Sequence, residues 1–150
     1  MTTACVPTRK GPLCQEPFAV LTIGLDYRAA SLIRRYTADR RWICDHVRTG
    51  TEALGYLRMT NDRPPAIIIC ADVLPDGSWR QLLDRAGSRL IVVSRIADER
   101  LWAEALNSGA YDLLSNPFTR LELAWTIDSA SLACEGDRVP LKALPGAGSG

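Results

Sequence analysis

The sequence predicts an α/β fold: a doubly wound, five-stranded parallel sheet with five helices. Two observations predict it. The short continuous apolar runs "FAVLTIG", "PAIIICA" and "RLIVVS" suit strands buried on both faces of a parallel sheet. Segments with apolar residues at helical spacing separate them, and a regular β-α alternation places helices on both sides of the sheet.

Each element has its own justification. "FAVLTIG" is the first strand, and Arg28 to Arg40 follows as a helix with Leu32, Ile33 and Tyr36 on one face. "WICDHVR" is a weaker second strand, followed by a helix from Thr51 to Met59 holding Ala53, Leu54 and Leu57. "PAIIICA" is the third strand, and Ser78 is placed to cap a helix with Leu82 and Leu83. "RLIVVS" leads to a helix from Asp98 to Asn107, with Leu101, Trp102, Ala105 and Leu106 and a stop signal at Gly109. "AYDLLS" is the fifth strand, and Thr119 to Ala133 carries Leu123, Ile127 and Ala130 at helical spacing. Residues 1–16 read as a flexible arm, 17–134 as the folded domain, and the Gly- and Pro-rich 135–150 as a flexible tail or linker stub.

A chain of 150 residues with 47% hydrophobic content can bury one sizeable core, which favours a single domain. Lys plus Arg is 18 against 17 for Asp plus Glu, so no basic surplus argues for nucleic acid. No apolar run approaches the roughly 18 residues that span a bilayer, and the polar N-terminus does not read as a signal peptide. The five cysteines are scattered without a C-x-x-C, so neither a disulfide framework nor a zinc site is expected. Cys44 and His46 share one side of a strand with no second pair in view, and ordinary packing is their expected role. A reducing, cytoplasmic setting fits this cysteine usage.

In such a sheet, sites form at the carboxyl edge of the strands. The stretch "AIIICADVLPDG" ends a strand there, and the turns after "LTIG", "IVVS" and "LLSN" surround it. "TIGLD" lacks the full G-x-G-x-x-G pattern, and "TGTEALG" lacks the Gly-Lys-Ser/Thr of a P-loop. His46, the single histidine, should lie on the second strand away from Ser94, which argues against a Ser-His-Asp hydrolase.

Taken as an ordered set, "AVLTIGLDYRAASLIRRY", "TGTEALGYL", "PAIIICADVLPDGSW", "RLIVVS", "DERLWAEALNSGAYDLL" and "NPFTRLEL" resemble the receiver domain of bacterial two-component response regulators. The resemblance covers about Phe18 to Ala133 and implies a flavodoxin-like three-layer sandwich with strand order 2-1-3-4-5. Working receivers carry an acid pair that helps bind Mg²⁺, a phosphoaccepting aspartate, a hydroxyl residue and a lysine before a proline. The aspartate is the nucleophile, and metal and lysine neutralise the transferred phosphoryl.

Carried over residue by residue, the acid pair falls on Gly24 and Leu25, and the phosphoacceptor, four before Pro75, on Ala71. The hydroxyl falls on Ser94, the lysine on Asn116 before Pro117, and the switch aromatic on Leu113. Only the hydroxyl matches. The resemblance also implies a cis peptide at Asn116-Pro117. Asp26 and Asp72 each stand one residue past a family position. Alternation along a strand should then point Asp72 towards the other face.

The expected function is therefore that of a degenerate receiver, a pseudo-receiver. It would transmit signals by protein–protein contact, without phosphorylation, metal or cofactor, and would not be an enzyme. Its partner would be a signalling protein or a second copy of itself. The expected contact surface, between the fourth and fifth helices, includes Arg100, Trp102 and Arg120. Two alternatives stand beside it: a phosphoaccepting receiver using Asp72, and a small-molecule-binding module in the emptied pocket.

Overall fold

A computed structural model describes residues 18–86 and 89–138. The expected arm at 1–16 lies outside them, as does most of the expected tail. Five parallel strands form one sheet: β1 (Ala19–Ile23), β2 (Ile43–Val47), β3 (Ile67–Ala71), β4 (Leu90–Ser94) and β5 (Asp112–Ser115). Their order is β2-β1-β3-β4-β5, as expected. The helices are α1 (Tyr27–Asp39), α2 (Gly50–Met59), α3 (Leu83–Ala86), α4 (Glu99–Asn107) and α5 (Arg120–Arg138).

The continuous apolar runs are explained by alternation across a sheet covered on both faces. Ile67 and Ile69 face one layer with Val20, Ile91 and Val93, packed by Ile33 of α1 and Leu123 and Ile127 of α5. Ile68 and Cys70 face the other, with Leu21, Ile23 and Val92, packed by Ala53 and Leu57 of α2, Trp79, Leu82 and Ala105 of α4. β2, at the sheet's edge, is mostly exposed or half-buried, which explains why its sequence signal is weaker.

Capping follows the sequence closely. Thr49 and Glu52 form a capping box at α2, and Asp98 accepts from Leu101 N at α4 (2.9 Å). Two boundaries differ from expectation. The third helix is a 3₁₀ turn, Trp79–Leu82, followed by the single turn of α3. Trp79 and Leu82 are drawn into the core there, so packing of two large side chains determines the local geometry. The fifth helix runs to Arg138, five residues past the expected end at Ala133. An interior Gly136 costs only about 1 kcal/mol relative to Ala, too little to end an established helix.

Candidate functional site

The strand ends at the carboxyl edge surround a cleft of about 360 Å³. Gly24, Leu25, Asp26, Ala71, Asp72, Val93, Arg95, Ile96 and Asn116 line it. Ser94 and Pro117, also expected there, are not among its lining residues, and Val93, Arg95 and Ile96 are additions to the expected set. The signal for Arg95 and Ile96 was their place directly after Ser94.

On the β1 side, the chain turns sharply at Gly24, whose φ is +67°. A Cβ built on Gly24 would lie 2.5 Å from Leu74 Cδ2, and Leu74 itself is buried. No L side chain is comfortable with that backbone, and the space is filled. Asp26 caps α1: its Oδ1 accepts from Ala29 N at 2.8 Å. Its Oδ2 accepts from Asn116 Nδ2 at 3.0 Å and lies 3.9 Å from the Arg95 guanidinium. The bond from Ala29 N, then that from Asn116, hold the Asp26 carboxyl below the usual carboxylate range, with Arg95 adding to the effect against some desolvation. Asn116 therefore contributes a neutral donor, and the peptide to Pro117 is cis.

On the β3 side, Ala71 ends the strand opposite Val93 and offers only a methyl. Asp72 does not point away from the cleft as alternation predicts. Paired register stops at Ala71, the chain bends at Asp72, and Asp72 N bonds Val93 O at 2.9 Å. The carboxylate is thereby brought to Ser94, whose Oγ donates to Asp72 Oδ2 at 2.7 Å. Ser94 is buried, and its Oγ also accepts from Ile96 N at 3.0 Å. Beneath, Cys70 is buried, and its thiol is pushed up to about 12 by burial and then by Asp72, so it stays neutral.

Next to the cleft, Asp76 of the Pro75-Asp76-Gly77 turn accepts from Gly50 N, Thr51 N and Thr51 Oγ1 at 2.7–2.9 Å. These bonds pull its carboxyl down to about 2 and tie the loop after β3 to the start of α2. His46 is remote from Ser94 and shares a 2.6 Å hydrogen bond with Thr22. Among the described residues, no group of three or more His, Cys, Asp or Glu side chains could hold a metal ion.

The residues expected to form a contact surface lie on two helices, α4 and α5. Arg100 and Trp102 are exposed on α4. Arg120 is exposed too, and its guanidinium lies 3.3 Å from Asp39 of α1. Leu121 and Trp125, both largely exposed on α5, lie on the helix that packs beside β5.

No family model matches the chain, and no curated protein does. Solved structures do. The signal receiver domain of an HD domain-containing protein from Pseudomonas fluorescens Pf-5 is 21% identical, with a TM-score of 0.70 over 85% of this chain and 96% of that one. CheY in the CheX-CheY-BeF3-Mg²⁺ complex from Borrelia burgdorferi is 18% identical, with a TM-score of 0.68 over 77% and 90%. The beryllofluoride-activated NtrC4 receiver domain dimer is 19% identical, with a TM-score of 0.66 over 77% and 98%. No helix among the described residues is long and apolar enough to cross a membrane. With its strand order and these likenesses together, the chain has the fold of response-regulator receiver domains.

Proposed function

We propose that this protein is a degenerate receiver that signals by protein–protein contact and is not switched by aspartyl phosphorylation. Gly24 is the observation that supports it most. The position matching the first metal-binding acid has a left-handed backbone, and Leu74 fills the space a side chain would enter. Ala71 and Asn116 remove the nucleophile and the lysine at the matching positions. Mg²⁺ requires several oxygen ligands in near-octahedral geometry. Of the cleft's two acids, Asp26 already accepts hydrogen bonds on both oxygens and Asp72 accepts from Ser94, a poor fit to that ion. The protein is then a cytoplasmic contact module rather than an enzyme.

The contact surface in this reading is the α4–α5 side, with Arg100, Trp102, Leu121 and Trp125. Exposed Trp and Arg side chains are favoured anchors. CheX-bound CheY and the NtrC4 dimer are receiver folds that meet protein partners, and the shared fold supports contact as the mode of action here. A second copy of the chain is the partner most simply tested.

A second reading keeps Asp72 as a phosphoacceptor. Its supporting observation is the carboxylate's position in the cleft beside Ser94. One experiment separates the two. The protein is incubated with acetyl phosphate and Mg²⁺, then measured by intact-mass spectrometry and sedimentation velocity. The expected result is an unchanged mass and the same association state with or without phosphodonor. A stoichiometric, Mg²⁺-dependent phosphate adduct, lost in Asp72→Asn, would establish the second reading instead.

A further inference from the structure

The cleft's β3–β4 side contains a short chain of hydrogen bonds that links two loops. A neutral hydroxyl has one proton and two lone pairs. The Ser94 proton is directed to Asp72 Oδ2 at 2.7 Å, which leaves an Oγ lone pair for the Ile96 N–H at 3.0 Å. Each bond orients the next, and the first is charge-assisted. Ser94 has 1% exposure, so little water competes for its hydroxyl. The loop it organises is short: Arg95, Ile96 and Ala97 lead directly to Asp98, the N-cap of α4. Asp72 is itself anchored, because its backbone N–H bonds Val93 O at 2.9 Å.

We propose that Asp72 acts as a permanent latch: its carboxylate fixes the Ser94 hydroxyl and, through it, the Ile96 amide, so that the β4–α4 loop and the start of α4 are held in one arrangement without modification. The Ala71 side chain has no polar atom with which to do this. One residue further on, past the last paired position, a carboxylate reaches the hydroxyl. The inference rests on the pseudo-receiver reading and deepens it by naming what sets the α4 face. Asp72 and Ser94 are positioning residues in this account, and a receiver without a phosphoryl switch gains a fixed contact surface from them.

Amide hydrogen exchange of the full chain, read residue by residue by NMR, tests the latch. Asp72→Ala and Ser94→Ala should each speed exchange at Ile96 by about tenfold, the scale of one lost charge-assisted hydrogen bond. Exchange at the core amides of β1 and β3 should hold. The double variant should exchange little faster than either single one, because both changes break the same chain. Ser94→Thr, which keeps the hydroxyl, should retain protection. If an alanine variant also loses core protection, Asp72→Asn decides, since it keeps the shape and removes the charge. It should still speed exchange at Ile96, by a smaller factor. Unchanged exchange at Ile96 in these Asp72 variants, or single effects that simply add, would overturn the latch. The measurement needs no partner, so its outcome is distinct from that of the phosphodonor and sedimentation experiment.

Discussion

The two ends of the sheet are built differently. At the amino edge, Phe18 packs on Trp42 with ring centroids 4.4 Å apart, and Tyr36 meets Trp42 edge-on at 6.3 Å. The Arg40 guanidinium lies over both the Tyr36 and Trp42 rings, and Tyr36 and Arg40 both bond Asp128 of α5. Burial, then the bond to Asp128, pushes the Tyr36 hydroxyl up to about 12. At the carboxyl edge, the chain surrounds an open cleft, and Tyr27, Val73 and Ile96 stand exposed beside it. Strands of five residues, about 17 Å long, separate the two ends. One end ties α1 to α5. The other leaves apolar side chains and polar groups accessible, so the tightly packed and the open parts of the molecule lie at different ends.

The sharpest way to break that comparison is to truncate one side chain at each end. Tyr36→Ala removes a buried ring and the hydroxyl that bonds Asp128, and should cost about 3 kcal/mol. Ile96→Ala removes an exposed side chain, leaves the backbone N–H in place, and should change stability by less than about 0.5 kcal/mol. Urea unfolding of both variants measures the contrast. Equal losses would mean that the carboxyl edge is as deeply built into the core as the amino edge.

The second prediction sharpens the account of the cleft. Gly24→Asp restores an acid at the position where a working receiver would have one. The left-handed backbone at φ +67° and the contact with Leu74 should make it destabilising by about 1–3 kcal/mol. Calorimetry should detect no Mg²⁺ binding above that of the unaltered protein. A stable variant that takes up Mg²⁺ would show that Leu74 yields and that the cleft is closer to a working metal site than its packing indicates.

Much of this was legible in the sequence, for identifiable reasons. Ile67 to Cys70 are buried on alternating faces, and such a run can hardly be anything but a central strand. Ser78 is a cap by residue type, and its Oγ accepts from Arg80 N at 3.3 Å. The cleft's address followed from the β-α alternation and the turns. The direction of Asp72 did not, because alternation holds only while a strand stays paired, and pairing ends at Ala71. The ion pair between Arg120 and Asp39 is equally silent in sequence, since 81 positions separate the partners. Leu74 reads as a turn residue in "VLPDG", and only three-dimensional proximity shows that it closes the space beside Gly24.

The smallest effect concerns acid. Asp26 both caps α1 and bonds Asn116 across the cleft, so it links the two sides of the carboxyl edge. Its folded pKa is lowered below the ordinary 3.8, chiefly by the bond from Ala29 N. A carboxyl with a depressed folded pKa adds stability that is fully present above its unfolded value. That stability is lost as pH falls through the folded value. Asp26→Ala should therefore cost about 1 kcal/mol at neutral pH, the usual size of a lost N-cap. The gap between the variant and the unaltered protein should be constant above about pH 5 and close as pH drops below 4. Thermal unfolding of both proteins across that range is the measurement. At the amino edge, burial and the bond to Asp128 push the Tyr36 hydroxyl up to about 12, so Tyr36→Phe should show a gap that does not change as pH rises from 6 to 9. A flat gap in Asp26→Ala would mean that the charge of its carboxylate adds nothing to the cap of α1 or to the bond with Asn116.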